Sequence, residues 1–346
     1  MVAAVTTSVK ANLVSQIETE TTASALLREV YSPVASEMAD VEQILRTELC
    51  SDYPYVDELV RYGCLLGGKR LRPVLLLLAG KSVGALNKDH LTLSAVVEMI
   101  HTATLVHDDV LDEADTRRHL ATVNSRWDSK ASVLLGDFLF THAFYLASTL
   151  ESTWACRAIG RATNIVCEGE LRQKGSRGDF ALDEAEYIEI ISAKTAELCA
   201  CSCQLGAHCA GATPDIVDRF KRFGRDLGIA FQIADDVLDL AGDEQTIGKS
   251  LGTDLEQQKV TLPIIRTLQI APREEREQLL AILHREPGHA DDDLLPLLKK
   301  HDAIEYSLDA ARGFAGRAVD EIRDLEPSPS LAMLIMITEF VVNRSM

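Results

Sequence analysis

His107-Asp108-Asp109-Val110-Leu111-Asp112 and Ala234-Asp235-Asp236-Val237-Leu238-Asp239 are near-copies of one acidic motif, each set in an apolar stretch with helical spacing. On a helix, positions i and i+4 share a face, so Asp108 projects beside Asp112 and Asp235 beside Asp239. Clustered like charges repel, and Asp is a poor helix former. Both motifs also fall near the C-terminal ends of long helical stretches, where negative charge opposes the macrodipole. The pattern is unfavourable for stability unless a cation sits between the carboxylates. Hard oxygen ligands in that geometry suit Mg²⁺, which keeps several waters and bridges carboxylates to phosphates. One copy alone reads equally well as a solvated helix end. Two copies, each with basic residues close by, point to a pair of metal seats with Asp108, Asp109, Asp112, Asp235, Asp236 and Asp239 as candidate ligands.

Outward from the motifs, the chain reads as almost all helix. Apolar residues recur at helical spacing from Leu27, as in Val30, Val34, Met38, Val41 and Leu45. Further helices are predicted over roughly 55–66, 70–84, 90–112, 130–150, 153–174, 184–211, 214–241, 256–271, 274–285, 291–300, 302–324 and 328–343. The breaks carry Gly, Pro and Ser, as in Gly175-Ser176-Arg177-Gly178-Asp179 and Glu326-Pro327-Ser328-Pro329. No alternating strand pattern of useful length is present. The 346 residues are 47% hydrophobic and 25% charged, enough for a sizeable buried core. Residues 1–24 read as a tail and 25–346 as the folded domain.

The net charge of −18 argues against nucleic acid or an anionic membrane surface as partner. An anionic substrate would need local cations to overturn that field. No uninterrupted apolar run reaches the ~20 residues that span a bilayer, so no transmembrane segment is expected. Cys199, Cys201, Cys203 and Cys209, with His208 nearby, do not match zinc-knuckle spacing. Alternate helical residues point roughly 200° apart, so the thiols cannot converge. They read instead as small apolar residues that let helices pack closely, and cysteine use otherwise suggests a reducing compartment, with a cytoplasmic setting expected.

The basic residues have their own pattern. Gly67-Gly68-Lys69-Arg70-Leu71-Arg72-Pro73 places three cations after a glycine pair. Arg offers a planar fork to phosphate oxygens and Lys a compact point charge. Arg117-Arg118 follows the first acidic motif, and Lys249 and Lys259 follow the second. Singly each reads as a surface charge; together they outline two anion sites around two metal seats.

These elements resemble the trans-isoprenyl (polyprenyl) diphosphate synthase family of the class I all-α type. The resemblance rests on Gly67 to Pro73, Glu98 to Asp109, Asp112 to Arg118 and Gly136-Asp137-Phe138-Leu139. It continues through Gly169-Glu170 with Gln173, Lys194-Thr195, Phe231-Gln232 with the second acidic motif, and Lys259 to Pro263. They occur in the family's order across roughly residues 25 to 343. One departure is His119-Leu120-Ala121-Thr122-Val123-Asn124, where the family usually has Gly-x-Pro-Thr-Val-Asn; that loop is expected to be stiffer at 119 and looser at 121.

The resemblance implies an isoprenoid synthase-type helical bundle around a deep central cavity, as a homodimer. It implies Mg²⁺ held by Asp108, Asp112 and Asp235, aided by Asp109, Asp236 and Asp239. Arg117, Lys194, Thr195, Gln232, Lys249 and Lys259 match the family's contacts to an allylic diphosphate. Lys69, Arg72, His101 and Arg118 match its site for isopentenyl diphosphate, whose double bond attacks the allylic cation. Terpene cyclases also ionise an allylic diphosphate, but they need no isopentenyl diphosphate site and usually carry an Asn/Ser/Glu-type second motif. A regulatory subunit of a heteromeric synthase would be expected to lose a seat, and neither is lost here. Family members are limited in product length by bulky residues just before the first motif. Ala103 and Thr104 stand there; Thr104 is one turn, ~5.4 Å, before Asp108. Both are small, which implies growth to C20 or beyond.

Overall fold

The computed structural model describes residues 31–65, 70–117, 120–241, 253–284 and 291–343. Lys69, Arg118, His119, Lys249 and the expected tail over 1–24 lie outside these residues. The chain runs through α1 (Ala35–Glu48), α2 (Pro54–Leu65), α3 (Leu71–Val83) and α4 (Lys88–Leu111). A two-residue antiparallel ladder follows, β1 (Thr116–Arg117) on β2 (Leu120–Ala121), with Thr116 opposite Ala121. Then come α5 (Val123–Arg126), α6 (Ser129–Ser148), α7 (Thr153–Gly175) and α8 (Glu184–Ile191). A π turn (Ser192–Ala196) leads into α9 (Glu197–Cys209), α10 (Pro214–Ala241) and the short α11 (Thr253–Glu256). The remainder is α12 (Leu262–Ile270), α13 (Arg273–Leu283), α14 (Asp291–Lys300), α15 (Ala303–Ile322) and α16 (Pro329–Asn343). The fold is all-α.

Local chemistry sets the boundaries. The Asn87 side chain accepts from the His90 amide while His90 reaches back, closing a capping box at the start of α4. Asp128, Ser152 and Asp183 cap α6, α7 and α8 through their side chains. Pro54, Pro214 and Pro329 each occupy the first helical position, where the missing N–H goes unused. Past α9, Gly211 takes φ 80°, the left-handed conformation that ends helices cheaply in glycine.

At the centre lies α3, buried on every side from Pro73 to Gly80. It packs against α4, α9 and α16, while α10 lies between α9 and α15. Small residues allow these approaches. A side chain at Gly206 would collide with the Leu76 carbonyl of α3, and one at Gly224 would lie 2.6 Å from the Cys199 carbonyl. Cys199, Cys201 and Cys203 are buried, and all eight cysteines are unpaired. The reading of the cysteine segment as close helix packing therefore holds.

Two sequence expectations need correction. The predicted helix over 184–211 is interrupted by the π turn at 192–196. The predicted helix over 256–271 starts only at Leu262, because Pro263 belongs in a first turn and α11 is separate. One helix, α6 (Ser129–Ser148), is long and apolar enough by length and composition to cross a membrane. Asp137 and His142 interrupt its apolar run without cancelling its average. Of its most apolar stretch 44% is buried, against α4 among others, as in a core helix.

Gly206→Ala should lower the denaturant midpoint by the equivalent of about 1–3 kcal/mol, because the α9–α3 approach must open. Gly313→Ala, with nothing within 4 Å, should instead stabilise α15 by about 0.5–1 kcal/mol.

Candidate active site

The first acidic motif closes α4. Asp108 and Asp109 lie in its last turn, and Asp112 is the cap, its N–H bonded to the Asp108 carbonyl at 2.8 Å. Ahead of them, His107 sits against α6 with Nε2 3.2 Å from the Val133 carbonyl. Gly136 makes that possible, since any side chain there would strike the imidazole. The two aspartates then diverge. Asp109 is buried and accepts from Arg117 Nε at 2.8 Å; its Oδ2 has no hydrogen-bond partner. Asp108 is half-buried and faces Lys194. Burial raises the carboxyl pKa of both, opposed by Lys194 at Asp108 and by Arg117 at Asp109.

Lys194 and Thr195 project from the π turn, a distortion that recurs at functional sites. Gly169 lets α7 approach it: a Cβ there would lie 2.5 Å from the Lys194 amide. Lys194 donates to Glu170 and to Gln173, both at 2.8 Å. Burial disfavours its ammonium, but Asp108 and Glu170 outweigh that and raise its pKa. Thr195 donates to Gln232 at 2.9 Å, and Gln232 donates to Asp236 at 2.6 Å. Asp236 also accepts from the Tyr187 hydroxyl at 2.6 Å. Asp236 is fully buried, and burial, reinforced by Asp254, holds its pKa well above the usual carboxylate range.

The segment after the second motif joins both sides. Asp239 accepts from the Asp254 amide at 3.0 Å, and the Asp254 carboxylate pairs with Lys259 at 3.2 Å. Lys259 lies 3.9 Å from Asp112, which Arg177 meets at 2.7 Å. A cavity opens among Gln173, Lys194, Gln232, Asp236, Asp254 and Lys259. Among the described residues no three His, Cys, Asp or Glu side chains converge on one point. The candidate ligands at the two helix ends are all carboxylates, the hard oxygen donors that Mg²⁺ takes.

The cations of the glycine-rich segment separate. Arg70, in a left-handed conformation, is held by Glu42 at 2.7 Å and Glu98 at 2.9 Å, so it ties α1 to α4. Arg72 has a buried Nε with no hydrogen-bond partner. His101 is half-buried on α4, three residues after Glu98. On the same helix Ala103 is fully buried, and Thr104 is half-buried with its hydroxyl bonded to the His101 carbonyl at 2.8 Å. Phe140 and Phe144 of α6 stack at 6.4 Å, and Phe138 stacks on His142. In the departing loop, the Ala121 carbonyl accepts from Tyr62, and Thr122 and Asn124 both donate to the Ala114 carbonyl.

Sequence reasoning missed Tyr187 and Arg177. Tyr187 sits seven residues before Lys194 in an ordinary amphipathic helix, with nothing to mark its contact 49 positions away. Arg177 stood in a stretch read only as a break, although it is the one cation in that turn.

Because the folded-state pKa of Asp236 is raised, the folded chain holds a proton that the unfolded chain releases. Stability from this group is present at low pH and is lost as pH rises through the folded pKa. In EDTA, Asp236→Asn should therefore melt higher than the parent at pH 8, with the gap closing toward pH 5. A pH-independent gap in thermal unfolding would contradict this.

With that geometry in place, comparison with known proteins is decisive. The polyprenyl synthetase family model matches residues 53–297. The chain is 37% identical over 322 residues to octaprenyl diphosphate synthase of Haemophilus influenzae, covering 92% of this chain and 97% of that protein. Its structure matches a decaprenyl diphosphate synthase from Rhodobacter capsulatus with TM-score 0.87 and 34% identity, over 92% of this chain and 99% of that one. It also matches a polyprenyl synthase from Caulobacter crescentus, solved with calcium and isoprenyl diphosphate, with TM-score 0.86 and 33% identity, over 92% and 98%. The chain belongs to the polyprenyl synthetase family and is a prenyltransferase of isoprenoid biosynthesis.

Proposed function

We propose that this enzyme condenses isopentenyl diphosphate with an allylic diphosphate, giving a trans-prenyl diphosphate of C20 or longer and free diphosphate. The observation that carries the site assignment is Lys259, which lies against Asp112 of the first acidic motif and pairs with Asp254, whose amide is bonded to Asp239 of the second, while Lys194 beside Asp108 pairs with Glu170. In a chain of net charge −18, these cations and the metal give an anionic substrate its foothold. Asp108, Asp112 and Asp235 would hold Mg²⁺, which when bound would supply positive charge to offset that of the diphosphate. Asp236 and Asp239 support from behind through Tyr187, Gln232 and the Asp254 amide, and Asp109 fixes Arg117.

Arg117, Lys194, Thr195, Gln232, Lys249 and Lys259 bind the allylic diphosphate and hold its reacting carbon in place. Lys194 and Lys259 also stabilise the diphosphate as it leaves. Lys69, Arg72, His101 and Arg118 bind isopentenyl diphosphate, and the unpartnered Nε of Arg72 suits that role. The new C–C bond forms as the double bond attacks the allylic cation. The proton lost afterwards passes to the departing diphosphate. No side-chain nucleophile is needed.

The oligomer proposed is a homodimer. Leu134 and Tyr145, 67% and 63% exposed, share a face of α6, and Leu171 of α7 is 72% exposed. Such an apolar face suits a second copy. Eight unpaired cysteines support a reducing, cytoplasmic setting. Residues 25–346 are taken as one synthase domain.

Incorporation of labelled isopentenyl diphosphate into longer products tests the reaction. It should proceed in the parent and fall by at least about 10³-fold in Asp108→Ala and in Asp235→Ala, with circular dichroism unchanged. Near-normal turnover at limiting Mg²⁺ in either variant would refute the metal assignment. Arg72→Ala should raise KM for isopentenyl diphosphate, not for the allylic substrate.

Product length rests on the wall above Asp108. Thr104 is the more accessible of the pair, so Thr104→Phe should shorten products towards C15, and Ala103→Phe should do the same less cleanly because Ala103 is core-packed. Chromatography of dephosphorylated products reads this directly; an unchanged distribution in both would place the growing tail elsewhere.

A further inference from the structure

The α7–α8 connection reaches across the site. Arg177 donates from Nη2 to Asp112 Oδ1 at 2.7 Å, while Lys259 stands 3.9 Å from the other carboxylate oxygen. The backbone is shaped for it: Gly178 takes φ 71° and donates its N–H to the Gln258 carbonyl at 2.9 Å, tying this turn to the segment that carries Lys259. Gln258 is itself left-handed, at φ 54°.

The grip of Arg177 on Asp112 is incomplete. A structural Arg–carboxylate pair is commonly bidentate. Here the Arg177 Nε is buried with no hydrogen-bond partner, and the next contact of Nη2, Gln257 Oε1, is 3.5 Å away. Both side chains keep some solvent access, 29% for Arg177 and 20% for Asp112. The guanidinium therefore neutralises the carboxylate without being locked there.

We infer that Arg177 is an internal counter-cation that competes with the divalent metal for Asp112 and must release it before the metal seats. The inference rests on the proposed reading of Asp112 as a metal ligand. Removing the guanidinium removes the competitor, so metal should bind more tightly. An arginine that merely organised the seat would have the opposite effect.

The test is Mn²⁺ binding to the full-length protein without substrate, followed by the loss of the free-ion paramagnetic resonance signal. Arg177→Gln should bind Mn²⁺ roughly three- to tenfold more tightly than the parent, since a partly exposed charged pair is lost. Arg177→Lys, which keeps the charge but not the planar fork, should fall between them. Unchanged or weaker binding in Arg177→Gln would overturn the inference. If that variant fails to fold by circular dichroism, the lysine variant decides, with binding equal to or weaker than the parent overturning it. Asp112→Ala separates the two layers of the argument. Should it bind Mn²⁺ as well as the parent does, the metal-seat reading itself is wrong; if its binding falls while Arg177→Gln matches the parent, only the competition fails.

Discussion

Carboxylates gathered at the C-terminal ends of two long helices repel one another and oppose both helix dipoles, and the rest of the site answers that constraint. The answer differs by residue. Asp109 is sealed against Arg117, Asp236 is wrapped by Tyr187 and Gln232, and Asp239 takes the Asp254 amide. Asp108 and Asp112 are met by side chains from other elements: Lys194 on the π turn, Arg177 on the α7–α8 connection and Lys259 before α12. Some of each motif's carboxylates serve as anchors, and on the proposed reading the others serve the metal.

Backbone strain collects where these elements meet. Among the described non-glycine residues, positive φ occurs at Arg70, Glu113, Gln258 and Asp302. Three of these adjoin the site: Arg70 opens the helix of Arg72, Glu113 follows Asp112, and Gln258 precedes Lys259. Each such conformation costs about 1–3 kcal/mol and persists only where surrounding contacts enforce it. At Arg70 the enforcing contacts are visible as paired carboxylates on α1 and α4. The π turn at 192–196 has the same character, re-aiming Lys194 and Thr195 with Gly169 yielding the space.

Helix existence and the acidic motifs were legible because both are local and periodic. The i, i+4 spacing of Asp108 and Asp112 needs no tertiary information to be meaningful. The π turn was not legible, since Ser192 to Ala196 is a normal helical composition and its packing against α7 and α10 is tertiary. The division of labour between Asp108 and Asp109 was equally hidden: the two are adjacent and identical in type, and only the burial of one face of α4 distinguishes them. Arg70 and Arg72 look interchangeable in sequence, yet one is neutralised by Glu42 and Glu98 while the other keeps an unpartnered Nε.

The central claim is that metal and diphosphate share one site built by both helix ends, so each must bind in the presence of the other. Calorimetric titration with an unreactive allylic thiodiphosphate, in Mg²⁺ and in EDTA, measures that coupling directly. The account predicts tight binding only with Mg²⁺, with reciprocal tightening of Mg²⁺ by the thiodiphosphate of at least about tenfold. Equal affinity for the thiodiphosphate in Mg²⁺ and in EDTA would contradict it.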